Sequence, residues 1–223
     1  MTISVLACTI AGAATVAAAV TPAATPVFFY NLTAQLKALI DRCQLFWARK
    51  YRLRLRDPRH RTKKVFLLSM AATRGKNLFD AIHLTMKYFC DAIDAQYAGH
   101  LTYRNIEGPK DMARHPGVEQ DIQAAVAALM QPLQARRRIL FAGPADACRG
   151  PMAAALVRAL GGEHLAAASG GIRAAEVIHP KAITAIGAMG WDLAYEEPRD
   201  LTRVMADFRA DQGIALAAGL DSG

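Results

Sequence analysis

Residues 141–152 read FAGPADACRGPM and combine the residue types of a loop that grips an anion. The three residues ILF at 139–141 form a short apolar run that predicts a strand. Pro151 predicts the start of a helix, because proline is favoured at the first helical position. A loop between a strand and a helix N-terminus directs main-chain N–H groups at an anion. The candidate anion-binding residues are therefore Cys148, Arg149 and Gly150.

Two further loops stand out in the first half of the chain. Residues 25–31 read TPVFFYN and precede the first predicted helix, and residues 71–77 read AATRGKN and follow a predicted strand. Ligands of open parallel sheets collect at the carboxyl ends of the strands, so these loops are candidate binding segments. Their candidate residues are Pro26, Val27, Phe28, Phe29, Tyr30 and Asn31, together with Thr73, Arg74, Gly75 and Lys76.

The elements that must position these loops alternate along the chain. Apolar residues at helical spacing predict helices near residues 34–46, 77–93 and 116–130, and they make Cys43 and Cys90 core residues. Continuous apolar runs predict strands at Lys64–Met70 and at residues 97–103. His179 followed by Pro180 marks another helix start. This order predicts an α/β fold with parallel sheets flanked by helices.

The first half resembles a known family. The segments PVFFYNLTAQLKALIDR, AATRGKNLFDA and LTYRNIEGPKDMARHPGVEQDI resemble the flavodoxin-like NAD(P)H-dependent FMN reductases, including the iron–sulfur flavoprotein branch. The resemblance implies a domain over residues 26–134 that binds FMN through the ten loop residues given above and uses NAD(P)H as electron donor. The family opens with a loop that grips the FMN phosphate, and the Ala-rich apolar residues 1–25 contain no such loop. We therefore expect a domain truncated at its start, with a weakened hold on FMN.

The second half resembles a different family. The segments CRGPMAAALVRAL, AAASGGIR and HPKAITAIGAMGWDL are similar to the low-molecular-weight protein tyrosine phosphatases and the related arsenate reductases. The resemblance covers residues 138–223 and implies a C-x5-R loop, in which a cysteine attacks phosphorus and an arginine holds the phosphate. Aligning Arg149 with that arginine puts Gly143 at the nucleophile position. We expect no phosphatase chemistry, and Pro144 and Asp146 predict weakened anion binding as well.

The fold prediction is thus two incomplete flavodoxin-like three-layer units. The leading functional hypothesis is an FMN-linked NAD(P)H oxidoreductase-type protein with a catalytically inactive phosphatase-like domain, and no catalytic residue is assigned. The second hypothesis is a non-catalytic fusion protein that acts in assembly or anion sensing. A third, an arsenate reductase or phosphatase activity, requires Cys148 to act as the nucleophile. In the phosphatase family an aspartate followed by proline acts as the general acid. This motif has no counterpart here, since Asp221 is followed by serine.

Composition bounds the partners. The chain has 223 residues and a net charge of +8, and nine of its basic residues lie between Arg49 and Lys64. We interpret that tract as a solvated loop or subunit contact and expect no nucleic-acid partner. Outside the tract, Arg149 would pair with Asp146 or another acidic residue if it holds no anion. Four dispersed cysteines predict no disulfide framework and no metal site, and they indicate a cytoplasmic protein. Residues 1–25 leave a signal peptide open but do not predict a membrane span, and we expect no membrane partner. Unpaired sheet edges predict a homo-oligomer.

Overall fold

The computed structural model describes residues 20–108 and 110–216, which fall into two compact units. Unit 1 contains Val20–Ala48 and Lys63–Gln131, and unit 2 contains Arg49–Thr62 and the described chain from Pro132 onward. Each unit has a three-stranded parallel sheet flanked by helices, so the predicted α/β fold class is confirmed.

The elements of the first half, in chain order, are β1 (Val20–Pro26), α1 (Ala34–Arg42), α2 (Gln44–Tyr51), β2 (Lys64–Met70), α3 (Asp80–Ala92), β3 (Gln96–Tyr103), α4 (Asp111–Arg114) and α5 (Val118–Gln134). The elements of the second half are β4 (Arg137–Gly143), α6 (Arg149–Gly161), β5 (Leu165–Gly171), α7 (Pro180–Ala188), α8 (Leu201–Asp207) and β6 (Gln212–Ala215).

The sheet of unit 1 has the order β1-β2-β3, and its strands end at one edge. Pro26 lies opposite Met70, and Met70 lies opposite Tyr103. The core beneath the sheet joins Leu67 of β2 to Ile82 and Met86 of α3, all of which are completely buried. The predicted helical stripe of α3 is therefore the face that packs on the sheet. Cys43 and Cys90 are buried core residues, as expected.

The sheet of unit 2 has the order β5-β4-β6, with Gly143 opposite Gly171. Helix α6 packs closely on it because the helix face that it buries consists of small residues, Ala154, Ala155 and Ala159. The strand beneath is equally small, LAAASGG in β5. Gly171 at the end of β5 is needed for the loop before α6 to pass, since a methyl group there would lie 2.7 Å from the carbonyl carbon of Ala145.

Two boundaries differ from the sequence predictions. Strand β1 begins at Val20, inside the segment that we assigned to an apolar N-terminal region, and residues 1–19 of that segment lie outside the described residues. Helix α6 begins at Arg149, two residues before Pro151. The start of α7 at His179 and Pro180 is confirmed, and the His179 ring accepts a hydrogen bond from the Lys181 N–H.

Neither a membrane-spanning helix nor a metal cluster is present in the part of the chain that the structure describes. No helix there is long and apolar enough to cross a bilayer. No group of three or more histidine, cysteine, aspartate or glutamate side chains there could hold a metal ion. The described cysteines, Cys43, Cys90 and Cys148, are free thiols.

Candidate functional site

The carboxyl edge of the unit 1 sheet brings three loops together. Main-chain bonds continue past the strand ends, from Val27 N–H to the Met70 carbonyl at 2.9 Å and from Ala71 N–H to the Tyr103 carbonyl at 2.9 Å. The loops that begin after β1, β2 and β3 therefore leave the sheet side by side. This is the edge at which parallel sheets bind their ligands.

The loop after β1 is a tight aromatic turn. Phe28 and Asn31 exchange two main-chain hydrogen bonds of 3.1 and 3.0 Å, and between them Phe29 (φ 49°) and Tyr30 (φ 62°) both have left-handed backbones. Two left-handed central residues match the type I′ turn, which normally selects Asn and Gly and is costly for bulky side chains. Phe28 is 61% exposed and Phe29 fully exposed. We call residues 28–31 the aromatic turn. Its strained backbone at Phe29 and Tyr30 accompanies the exposure of the Phe28 and Phe29 rings to solvent.

The loop after β2 lies against this turn. The Tyr30 ring covers the Cα of Gly75, because a methyl group built on Gly75 would lie 2.2 Å from the Tyr30 hydroxyl oxygen. The main-chain N–H groups of residues 73–76 donate to no acceptor within the described chain. The two predicted loops, 26–31 and 73–76, therefore meet, and they offer aromatic faces next to free N–H donors. Of the ten predicted residues, Pro26 alone belongs to a strand, as the last residue of β1.

Two residues of the loop after β3 complete this edge, and our sequence analysis did not assign them. Asn105 accepts a hydrogen bond of 2.8 Å from Arg74 Nε, and Arg104 donates to the Gly75 carbonyl. The Arg104 guanidinium also lies 5.4 Å from the centre of the Phe79 ring. The signal that could have found them is the pair of polar residues directly after the predicted strand at 97–103.

A flavin is the cofactor that the sequence implied for this edge, and the residues fit it in part. Exposed aromatic faces and free N–H groups suit the isoalloxazine ring, which is flat and carries acceptor atoms on its edge. The described strand-to-helix loops of unit 1 contain no run of glycine and hydroxyl residues that could enclose a phosphate. The positive charges within reach belong to Arg74, Lys76 and Arg104.

The second candidate site is the loop between β4 and α6 in unit 2. Four carbonyl groups in this region bond to the segment that follows β5. The carbonyls of Gly143, Pro144, Ala145 and Ala147 accept hydrogen bonds of 2.8 to 3.0 Å from the N–H groups of Ile172, Arg173, Ala175 and His179. These four bonds, along residues 143–147, fix the direction of four peptide planes in the loop.

The N–H groups of the same loop remain unused. Those of residues 145–150 donate to no acceptor within the described chain, and Cys148 caps α6 without a side-chain hydrogen bond. Asp146 (φ 48°) has a left-handed backbone, which is a feature of anion-binding nests, in which successive N–H groups converge. We call residues 143–150 the nest loop. The positive end of the α6 dipole adds to it.

Arg149 adds a positive charge at the mouth of the nest loop. Its side chain is exposed and has no ion pair or hydrogen bond among residues 20–108 and 110–216. The alternative in which Arg149 pairs with Asp146 is therefore wrong. The guanidinium remains available to an anion.

Asp146 is turned into the protein. It is buried, its Oδ2 accepts the Arg199 N–H at 2.9 Å, and its Oδ1 makes no hydrogen bond although Ser169 lies beside it. Burial raises the pKa of Asp146, and the Ser169 hydroxyl and the Arg199 N–H oppose that rise. The negative charge that we expected in the nest loop is therefore present, but the carboxylate is buried beneath the loop and does not face the converging N–H groups.

Gly143 and Cys148 show what the nest loop lacks. A Cβ on Gly143 would meet no atom within 4 Å, so the nucleophile position is open space. Within the described chain, the Cys148 thiol has one side-chain partner, the sulfur of Met152 at 3.9 Å. Among the described residues, no basic group bonds to the thiol to activate it.

Glu196 forms a half-buried charge cluster in unit 2, which sequence reasoning missed. It lies 3.0 Å from Arg158 Nη2. Burial alone would raise the pKa of Glu196, but Arg158, Arg59 and Arg199 together hold it below its ordinary value. The cluster ties the Arg59 and Arg199 segments to α6. It therefore helps to position the connection between α7 and α8, from which the Arg199 N–H donates to Asp146.

Comparison with known proteins adds little. No protein family and no curated protein sequence matches the chain. Among solved structures it is similar to the Trp repressor binding protein from Bacillus subtilis, at 19% identity and a TM-score of 0.33. The match covers 51% of this chain and 64% of that protein, so the chain spans less than two thirds of its length.

Proposed function

We propose that unit 1 binds a flavin at the aromatic turn and that the chain is an FMN-linked, NAD(P)H-dependent oxidoreductase-type protein. The observation that supports this most is the left-handed Phe29–Tyr30 pair, which holds exposed rings beside the free N–H groups of residues 73–76. Strained backbone that presents an apolar surface to water is an unfavourable arrangement unless a ligand covers it. A bound flavin supplies the hydride and electron transfer itself.

The chain's own residues have three roles in this proposal. Phe28 and Phe29 cover the ring and exclude water from it. The N–H groups of residues 73–76 donate to acceptor atoms at the ring edge. Arg74, Lys76 and Arg104 meet the phosphate, which gives FMN an advantage over riboflavin through charge-assisted hydrogen bonds.

The test is a titration of the full chain with FMN, followed by quenching of the flavin fluorescence, with riboflavin as the phosphate-free control. Phe29→Asn removes the ring and keeps a residue that tolerates the left-handed backbone. We expect it to weaken FMN binding about three- to tenfold, the usual contribution of one aromatic contact. The matched control is Tyr88→Asn, because Tyr88 is a 65% exposed aromatic residue on α3. The proposal fails if FMN binding does not saturate, or if both variants bind like the wild type.

A specific observation also favours a second function, oxyanion binding without turnover in unit 2. We propose that the nest loop holds a phosphate-like anion through the N–H groups of residues 145–150 and the Arg149 guanidinium. This is the anion-sensing alternative from the sequence. The third hypothesis, a phosphatase or arsenate reductase, has no such support, because the nucleophile position is Gly143 and Cys148 has no base.

Calorimetric titration with inorganic phosphate tests the second function. Arg149→Gln is expected to weaken binding about tenfold or more, since tenfold is near the lower end of the range for a lost hydrogen bond to a charged group. Arg203→Gln, an exposed arginine on α8, is the matched control. Heat changes absent in the wild type, or equal in both variants, would remove this proposal and leave the flavin proposal untouched.

A further inference from the structure

The basic tract of the sequence contains a protruding loop that neither proposed function uses. Residues 50–54 read KYRLR and run from the last turn of α2 into an irregular segment. The Leu55 N–H donates to the Arg49 carbonyl at 3.0 Å and closes the loop at its base. We call residues 50–54 the basic loop.

Both ends of the basic loop are fixed to unit 2. Arg49 grips the Asp192 carboxylate with two hydrogen bonds, one from Nε to Oδ2 and one of 2.7 Å from Nη2 to Oδ1. Arg56 exchanges main-chain hydrogen bonds with Gly190 and Asp192 at 2.9 and 2.8 Å. Between these anchors the loop is held in one place, so its exposed side chains form a defined surface.

The basic loop exposes its apolar side chains. Leu53 is 59% exposed and Tyr51 is 49% exposed, whereas Leu55 is half-buried near Gly187 of α7. Leu53 therefore lies outward at the tip of the loop, and Leu55, two residues later, packs inward. An aliphatic side chain that is exposed to water at the tip of an anchored loop is stabilised when an apolar environment covers it.

Two arginines flank that leucine. Arg52 and Arg54 are exposed and have no ion pair within the described chain. The nearby acids are engaged, because Asp192 pairs with Arg49 and Asp57 pairs with Arg59. The tip thus combines positive charge with an exposed aliphatic group, and Arg54 (φ 55°) adopts a left-handed backbone in doing so.

We propose that the basic loop docks on an anionic lipid surface, with Leu53 and Tyr51 entering the interface and Arg52 and Arg54 contacting headgroup phosphates. Charge complementarity selects the anionic surface, and each basic residue contributes about 1 kcal/mol there. The exposed Leu53 favours a bilayer over a nucleic acid, because an aliphatic side chain is stabilised by burial in lipid and offers no flat face for base stacking. Tyr51 suits the interface, where amphipathic rings sit at headgroup level. This proposal replaces our expectation that the chain has no membrane partner.

The test is co-sedimentation of the full chain with vesicles of phosphatidylcholine alone and of phosphatidylcholine with about one third phosphatidylglycerol. We expect binding to the anionic vesicles only. Leu53→Ser removes the tip, and Leu84→Ser, at a 58% exposed leucine on α3, is its matched control. We expect the first to weaken binding about fivefold or more, the equivalent of about 1 kcal/mol of lost apolar burial, and the second to leave it unchanged.

The charge is tested by the double variant Arg52→Gln and Arg54→Asn, in which asparagine keeps the left-handed position. Losing two basic residues is expected to weaken binding to anionic vesicles about 25-fold, or about fivefold for each. Failure to bind anionic vesicles overturns the proposal. The proposal is also overturned if Leu53→Ser leaves vesicle binding unchanged, because that result would indicate a generic polyanion site or a contact between copies of the chain.

Discussion

The ring of Tyr30 lies over the Cα of Gly75, so closely that a methyl group on Gly75 would be 2.2 Å from the Tyr30 hydroxyl oxygen. This contact joins the two loops that the sequence marked separately. It also explains why a glycine is required after Arg74, where any larger residue would force the tyrosine away.

Gly75→Ala is therefore expected to displace Tyr30 and to weaken flavin binding. Because the tyrosine is partly exposed and its far end can move, the free energy of unfolding should fall by less than about 1 kcal/mol. Urea unfolding and the FMN titration measure the two effects. Gly213→Ala in β6 is the control, since a Cβ there meets nothing within 4 Å. A Gly75→Ala variant that binds FMN like the wild type would place the flavin away from residues 73–76.

Asp146→Asn should strengthen both folding and anion binding. The pKa of Asp146 is raised by burial, so the stability linked to this group is present below its ordinary pKa of 3.8 and is lost as the pH rises through the raised value. Asparagine removes that loss at neutral pH, tolerates the left-handed backbone, and can donate to Ser169. We expect a gain of about 1 kcal/mol in the free energy of unfolding.

Phosphate affinity measured by calorimetry should rise in the same Asp146→Asn variant, because the base of the nest loop is no longer negative. Asp207→Asn, at an exposed carboxylate that ends α8, serves as the control for charge alone. Equal gains in both variants would show a general field effect and not a local one.

Gly143→Cys should be accommodated without loss of stability. Its Cβ would enter open space and its backbone is not left-handed, so the free energy of unfolding should change by no more than about 0.5 kcal/mol. The introduced thiol would face the converging N–H groups, which stabilise a thiolate. Its alkylation by iodoacetamide at neutral pH should be faster than that of Cys148. Slower alkylation would mean that the N–H groups do not converge there.

The stability of unit 1 should decrease below about pH 6.5 because of His83. Its ring contacts the His100 ring at 4.2 Å and hydrogen-bonds the Tyr97 hydroxyl at 2.7 Å. Burial lowers the pKa of His83, and His100 lowers it further, against the opposite effect of Asp80. The unfolded chain therefore binds more protons, and stability is lost as the pH falls through the ordinary value of 6.5.

Urea midpoints measured at about pH 8 and about pH 5.5 check this pH dependence. His100→Gln should make it shallower, and His164→Gln, at an exposed histidine of unit 2, should not. A pH dependence that is the same in both variants would assign it to other groups.

The Arg49–Asp192 pair should couple by about 1 to 3 kcal/mol in a double-mutant cycle, more than an exposed ion pair gives. Both side chains are largely shielded from water and the hydrogen bonding is bidentate. Arg49→Ala, Asp192→Ala and the double variant are compared by urea unfolding. The exposed pair of Lys37 and Asp41 on α1 is the reference and should couple by less than about 0.5 kcal/mol. A coupling as small as the reference would mean that the base of the basic loop is not held by this pair.

Local patterns of the sequence determined most elements of this fold. The apolar run predicted β2 at Lys64–Met70 to the residue, although the strand is fully buried on one face only, by Val65, Leu67 and Ser69. The stripe of α3 identified Ile82, Met86 and Cys90 as core residues. Strand β1 escaped prediction because VTPAATP has low β propensity; its strand geometry comes from pairing with β2 along its whole length.

The candidate residues were likewise marked by type, but their arrangement came from tertiary contacts. The parallel register makes the loops after β1 and β2 neighbours. Arg104 and Asn105, in the loop after β3, belong to the same edge because they hydrogen-bond to Gly75 and Arg74. In unit 2 the sequence indicated a degraded anion loop. The structure shows its carbonyls bound by the segment that follows β5, so the N–H groups point the other way. Peptide orientation depends on hydrogen bonds between residues about thirty positions apart, and no local pattern can specify such partners.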